Sequence, residues 1–420
     1  VRDAGMMGDP SPHTTYRVAF VHSFYSSDQP SGENTAVIDQ MAALRTAGHD
    51  VALVAAHTDT MAAEFGYTLR AGLRVATGRG RSPLAQLRQL APDVVHVHNL
   101  FPNFGTGWLE RWPGALVATL HNYRPACAAG TLFRDGKVCE KCPEGDRWAG
   151  LRHACYRGTR SATLPLAWAN RRGAGHPVLR RADRLIVLSE YSRGFYRRFT
   201  KSAEKLELVP NFFDGTQIDS TERSGTEGLE KGRNWVFAGR LSEEKGILSL
   251  LRSWPQDEPL DVIGSGPLES ACRAAAPRSV RFFGALSRPR LLGRLPHYTG
   301  LIFPSVCPEN APVICREALA VGLPVLALSG SAAAEDVLRH STGAVYSSAE
   351  ELPHALDVAR KLFPTLREHC LYVHASHYTA QSWVAQVEAV FARAVQEAAA
   401  RQAAARSAAA CETHEENSPG

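Results

Sequence analysis

Short apolar runs alternate with longer stretches of mixed polarity along the first half of the chain. The runs are RVAFVH (17–22), DVALVAA (50–56), DVVHVHN (93–99), ALVATLH (115–121) and RLIVLS (184–189). Each has the length and β-branched content of a buried strand. Between the first two lies VIDQMAALRTAG, where Val37, Met41 and Leu44 share one helical face and Gly48 suits the helix end. Strand and helix in alternation predict a parallel sheet with helices on both faces. LELVPN (206–211) closes this series, and a polar, Gly-rich connector follows at 214–234. A second series then begins: NWVFAG, LDVIGSG, VRFFGAL, GLIFPS and LPVLALSG. The fold class predicted is α/β, two Rossmann-like domains facing a central cleft, with ligands beyond the carboxyl ends of the strands.

The expected boundaries are a flexible leader at 1–15, a first domain at 16–210 and a second at 211–376. A last amphipathic helix at 377–398 and a disordered tail at 399–420 complete the chain. A length of 420 residues agrees with two cores. Hydrophobic residues make 44% and charged residues 21%, and no apolar run is long enough to span a membrane. The start lacks the apolar segment of a secretory signal, and Met7 lies nearer an expected native start. With nine cysteines and no such signal, a reducing cytoplasm is expected.

The net charge of +5 is unevenly spread: residues 147–205 hold 14 Lys and Arg against Asp183, Glu190 and Glu204. Two readings stay open. One is a solvated helical surface; the other is a patch for an anionic acceptor or for peripheral contact with the inner face of a membrane. No nucleic-acid motif accompanies the charge.

The densest chemistry lies in PSVCPENAPVICREALAVGLPVLALSG (304–330). A strand leads into a loop, a helix whose first turn suits Pro312, and a further strand. Free backbone N–H groups at such a helix start bind anions, so the turn Asn310, Ala311, Pro312 and Val313 is expected at a donor phosphate, with Pro312 shaping the turn and contributing no N–H. Glu317 lies roughly 7.5 Å further along the helix, where a carboxylate can accept both hydroxyls of a ribose. Glu309 precedes the helix and faces the opposite end of a nucleotide sugar. Two glutamates eight apart are ordinary surface acids in most proteins; here the strand before them and GLPV after them give the pair its weight.

This phrase resembles the signature of the retaining glycosyltransferases of family four, which have the GT-B fold: two glutamates, seven residues between them, then EAxAxGxPV. In that family the second Glu holds the ribose and the first contacts the donor sugar. Ala311 departs from the family, where Gly is frequent. FAGRLSEEKG (237–246) resembles the family's GRLxxEKG loop, implying Gly239, Arg240 and Lys245 at the donor diphosphate, the two cations stabilising the leaving group. PSGENTAVIDQMAALRTAGHDV (30–51) resembles the family's glycine loop, implying that Gly32 lets the backbone approach the phosphates. The resemblance implies that His121 lies near the reacting carbon of the sugar; for His98, core and site readings stand level. Glu335 stands between a donor contact and a helix cap.

The implied activity is metal-independent, retaining transfer from a UDP-, GDP- or dTDP-linked sugar to a hydroxyl acceptor in glycan, glycolipid or natural-product biosynthesis. No cofactor is required, and no D-x-D motif occurs. A GT-B type nucleotide-sugar epimerase and a non-catalytic nucleotide-sugar binding subunit are the alternatives.

Four cysteines remain: Cys127, Cys139, Cys142 and Cys155, with a single CxxC among them. A structural zinc and no metal stand level, and a disulfide ranks third.

Overall fold

The computed structural model describes residues 15–25, 32–214 and 232–416. Most of the expected leader and most of the connector lie outside these residues.

The first sheet starts with β1 (Arg17–Phe24), β2 (Asp50–His57), β3 (Val94–Asn99) and β4 (Ala115–Thr119). A two-stranded hairpin follows, β5 (Phe133–Arg134) and β6 (Lys137–Val138), within the cysteine-rich loop. β7 (Arg184–Val187) and β8 (Leu206–Leu208) complete a six-stranded parallel sheet in the order β2-β1-β3-β4-β7-β8. The second sheet contains β9 (Trp235–Ala238), β10 (Leu260–Ile263), β11 (Val280–Gly284), β12 (Leu301–Phe303), β13 (Val325–Leu328) and β14 (Gly343–Tyr346). Its order is β11-β10-β9-β12-β13-β14, with two strands beyond the first strand of the series where the other sheet has one. In both sheets the order reverses beside the first strand of the series. That switch point opens a crevice at the strands' carboxyl ends.

β1, β3 and β4 are buried on both faces, which explains why they read as unbroken apolar runs. One face of the first sheet carries a core of Val18, Phe20, Val94 and Val117, completed by Trp383, Val387, Val390 and Phe391 of the last helix. The final helix therefore belongs to the first domain's core although it follows the second domain in sequence. A long helix, Leu352–His377, precedes it and packs on the second domain through Leu356, Ala359 and Phe363.

The last helix differs from expectation. It runs Ala380–Glu416, well past position 398. Its apolar periodicity ends there, but Ala, Arg, Gln and Glu are strong helix formers and continue it. Arg401 pairs with the buried Asp183, and Gln402 donates to Pro113 O at 3.0 Å.

Candidate active site

β12 ends at Phe303, and the chain passes through Pro304 and Ser305 into the loop that carries Glu309. Lys245 Nζ lies 2.6 Å from Glu309 Oε2, and Ser305 Oγ is within hydrogen-bond reach of the other carboxylate oxygen. Burial works to lower the Lys245 pKa, but the Glu309 charge and hydrogen bond outweigh it and leave it raised. The loop that delivers Lys245 is locked in place. Gly246 has φ +68°, and a Cβ there would overlap Pro304 O; a Cβ on Gly264 would overlap Gly239 O. Ser305 Oγ and Val306 N also bond Glu244 O, at 3.0 and 3.1 Å. Arg240, on the same loop, is exposed. The structure thus joins Lys245 to Glu309 and leaves Arg240 out of that ion pair.

The helix after this loop is Val313–Ala320, with Pro312 at the capping position just before it. Glu317 sits on the helix with only 7% of its side chain exposed, and its Oε1 accepts from Arg288 Nε at 2.8 Å. Burial raises the Glu317 pKa; Arg288 opposes the rise without cancelling it. Arg288 Nη1 also reaches Asp39 Oδ2, 3.3 Å away on the first domain's Gly32–Thr46 helix. Arg288 is absent from the sequence-based site. It opens the Arg288–Arg294 helix, where a cation opposes the helix dipole, and its two carboxylate partners and the Phe213 ring, 5.1 Å from its guanidinium, account for it.

Across the cleft, β4 ends at Thr119 and leads to Leu120 and His121. Asn310 Nδ2 donates to Leu120 O at 2.8 Å, holding the Glu309 loop against the residue before His121. Gly32 also meets this corner: a Cβ on it would lie 3.5 Å from Val313 Cγ2, an ordinary contact. His121 Nε2 lies 2.8 Å from His98 Nδ1. Burial pushes the His121 pKa down to about 4, with Glu33 opposing and His22 assisting. Burial and the neighbouring histidines push the His98 pKa well below the usual value. A cavity beside the pair is lined by Leu120, Asn122, Arg124, Leu166, Asn170 and His176.

Two family models divide the chain. Glycosyltransferase Family 4 matches residues 30–217, and Glycosyl transferases group 1 matches residues 232–361. The chain belongs to the family-four glycosyltransferases, with the GT-B fold. None of the curated proteins matches this glycosyltransferase. Solved structures share its fold at low identity. Sucrose-phosphate synthase from Thermosynechococcus elongatus is 16% identical, with a TM-score of 0.65, over 90% of this chain and 98% of that one. Anabaena Alr3699/HepE, in complex with UDP and glucose, is 16% identical with a TM-score of 0.57, over 90% and 99%. WaaG, a glycosyltransferase involved in lipopolysaccharide biosynthesis, is 15% identical with a TM-score of 0.57, over 89% and 98%.

Two other expectations take a different form in this glycosyltransferase. Cys127, Cys139, Cys142 and Cys155 are free thiols lining one small cavity, and burial pushes the Cys142 thiol up to about 11. Among the described residues, no group of three or more His, Cys, Asp or Glu side chains could hold a metal ion. The structural-zinc reading therefore finds no support. The loop is ordered by other means: Tyr123, Ala126 and Leu132 are buried, and Cys139 N bonds Leu132 O at 2.7 Å. In the basic stretch, many cations are already engaged: Arg152 with Asp146, Arg181 with Asp183, Arg184 with Glu397, and Arg193 with Glu190. These pairings favour the solvated-surface reading for much of the patch. No helix among the described residues is long and apolar enough to cross a membrane. Glu335 does not cap its helix, because Ser331 Oγ accepts from Ala334 N at 3.1 Å.

Proposed function

We propose that this glycosyltransferase moves a sugar, with retention and without a metal, from a nucleoside diphosphate sugar to an acceptor hydroxyl. The Asn310–Leu120 bond carries this reading. It brings the donor loop of one domain to the histidine-bearing strand end of the other, so a sugar on the second domain would meet His121.

In this account the ribose is held by Glu317 and the diphosphate lies at the start of the Val313–Ala320 helix. Lys245 and Arg240 stabilise the charge that develops as the bond from the anomeric carbon to the diphosphate breaks. The acceptor oxygen attacks on the same face, and a departing phosphate oxygen takes its proton. Glu309 and Gly32 complete the donor site. The acceptor enters by the cavity beside His121. Glycan, glycolipid and natural-product scaffolds all carry the required hydroxyl, and the expected setting is the cytoplasm.

UDP-, GDP- and dTDP-sugars, incubated with and without acceptor extracts in the presence of a chelator, test the proposal. The expected product has the anomeric configuration of the donor by NMR. An inverted product would sink retention. An epimerised nucleotide sugar formed without acceptor would replace transfer with epimerisation. Tight binding without turnover across a broad acceptor panel would make the chain a binding subunit.

A further inference from the structure

His98 and His121 share one hydrogen bond, so a single proton lies between His98 Nδ1 and His121 Nε2, 2.8 Å apart. Two arrangements are open to neutral rings. If His121 Nε2 carries the proton, His98 Nδ1 accepts it and His98 must carry its own proton on Nε2. If His98 Nδ1 carries the proton, His98 Nε2 is a bare lone pair.

His98 Nε2 decides between them. It is buried and has no hydrogen-bond partner. The ring stacks on Phe20 at 4.7 Å and lies 4.2 Å from the His96 ring. A buried N–H with no acceptor is left desolvated and unpaired, and orphaned buried donors are rarer than under-satisfied acceptors. The second arrangement avoids the orphan donor. Burial keeps both rings neutral, which removes a doubly protonated His98 from consideration.

We propose that His98 is a positioning residue that fixes the tautomer of His121: His98 Nδ1–H donates to His121 Nε2, and His121 presents Nδ1–H to the cleft as a hydrogen-bond donor. His121 then binds an oxygen of the sugar or acceptor and does not act as the base that takes the acceptor proton. This inference rests on the proposed placing of His121 at the transfer site, but its first test does not.

Long-range proton–nitrogen correlation on protein labelled with ¹⁵N-histidine reads the tautomer directly, and the His121→Asn spectrum assigns the signals. The expected result is a protonated Nδ1 and a bare Nε2 on His121. The opposite pattern would overturn the proposal without any activity being measured. His98→Asn keeps an N–H donor near the Nδ1 position, whereas His98→Leu keeps none. His98→Leu should lose the tautomer preference and lower kcat about tenfold with donor KM little changed, less than the ~10²-fold loss on removing a donor outright. His98→Asn should recover most of that loss. A slowed His98→Leu whose His121 signals are unchanged, or equal losses in both variants, would count against it. A His121→Ala enzyme with undiminished transfer would instead overturn the site reading and leave the tautomer result standing.

Discussion

Arg288 Nε holds Glu317 Oε1 at 2.8 Å while its Nη1 reaches Asp39 in the other domain at 3.3 Å. The carboxylate assigned to the ribose is therefore already paired, through a guanidinium that touches both domains. Replacing Arg288 with Ala removes the opposing influence on Glu317, so its pKa rises further. The acid limb of nucleotide binding should move to higher pH in Arg288→Ala, as measured by calorimetric titration across pH. An unmoved limb would separate Arg288 from the site.

The sign for Glu317 itself follows from the same balance. Its folded pKa is raised, and only the ionised form can accept from both ribose hydroxyls. Donor affinity should fall as pH drops through a midpoint above the ordinary glutamate value of ~4.3. Glu317→Gln should remove this pH dependence. His121, pushed down to about 4, stays neutral above roughly pH 5, so no inflection near ~6.5 is expected from it. A kcat profile with a step near 6.5 that vanishes in His121→Asn would contradict this.

Lys245 and Glu309 should respond at the other end of the pH scale. Glu309 holds the Lys245 pKa up against burial, so Glu309→Gln should bring it down. The cation is needed protonated, and transfer should then fail at a lower alkaline pH than in the wild type. Lys245→Ala should lower kcat by about 10²-fold while weakening donor binding less. Loss in donor KM alone would reduce Lys245 to a ground-state contact.

Phe391 shows how far the last helix is part of the first domain. It is fully buried, with its ring 5.6 Å from His96 and 6.1 Å from Tyr16. Phe391→Ala should cost about 3–5 kcal/mol in denaturant unfolding. A loss below ~1 kcal/mol would mean that the helix packs loosely on the sheet.

The strands were legible because each buried strand writes its own short apolar run. The Glu309–Glu317 spacing and the EKG loop were legible because strand, loop and helix follow one another in sequence. Arg288 was not, since its partners stand 29 and 249 positions away and no period links them. The Asn310–Leu120 bond joins residues 190 apart for the same reason. Lost amphipathic periodicity after 398 suggested a tail, but periodicity reports a buried face and not helix propensity, and the alanine-rich segment stays helical. In the cysteine loop the CxxC spacing raised a zinc site, whereas the fold uses those residues around a cavity.

The central claim is that the helix bearing Glu317 receives a nucleoside diphosphate. Calorimetric titration of UDP, GDP and dTDP into the wild type and Glu317→Ala at neutral pH tests it most directly. One nucleotide should bind the wild type and lose at least about tenfold in affinity, ~1.4 kcal/mol, in the variant. Equal affinity in both proteins would contradict the assignment.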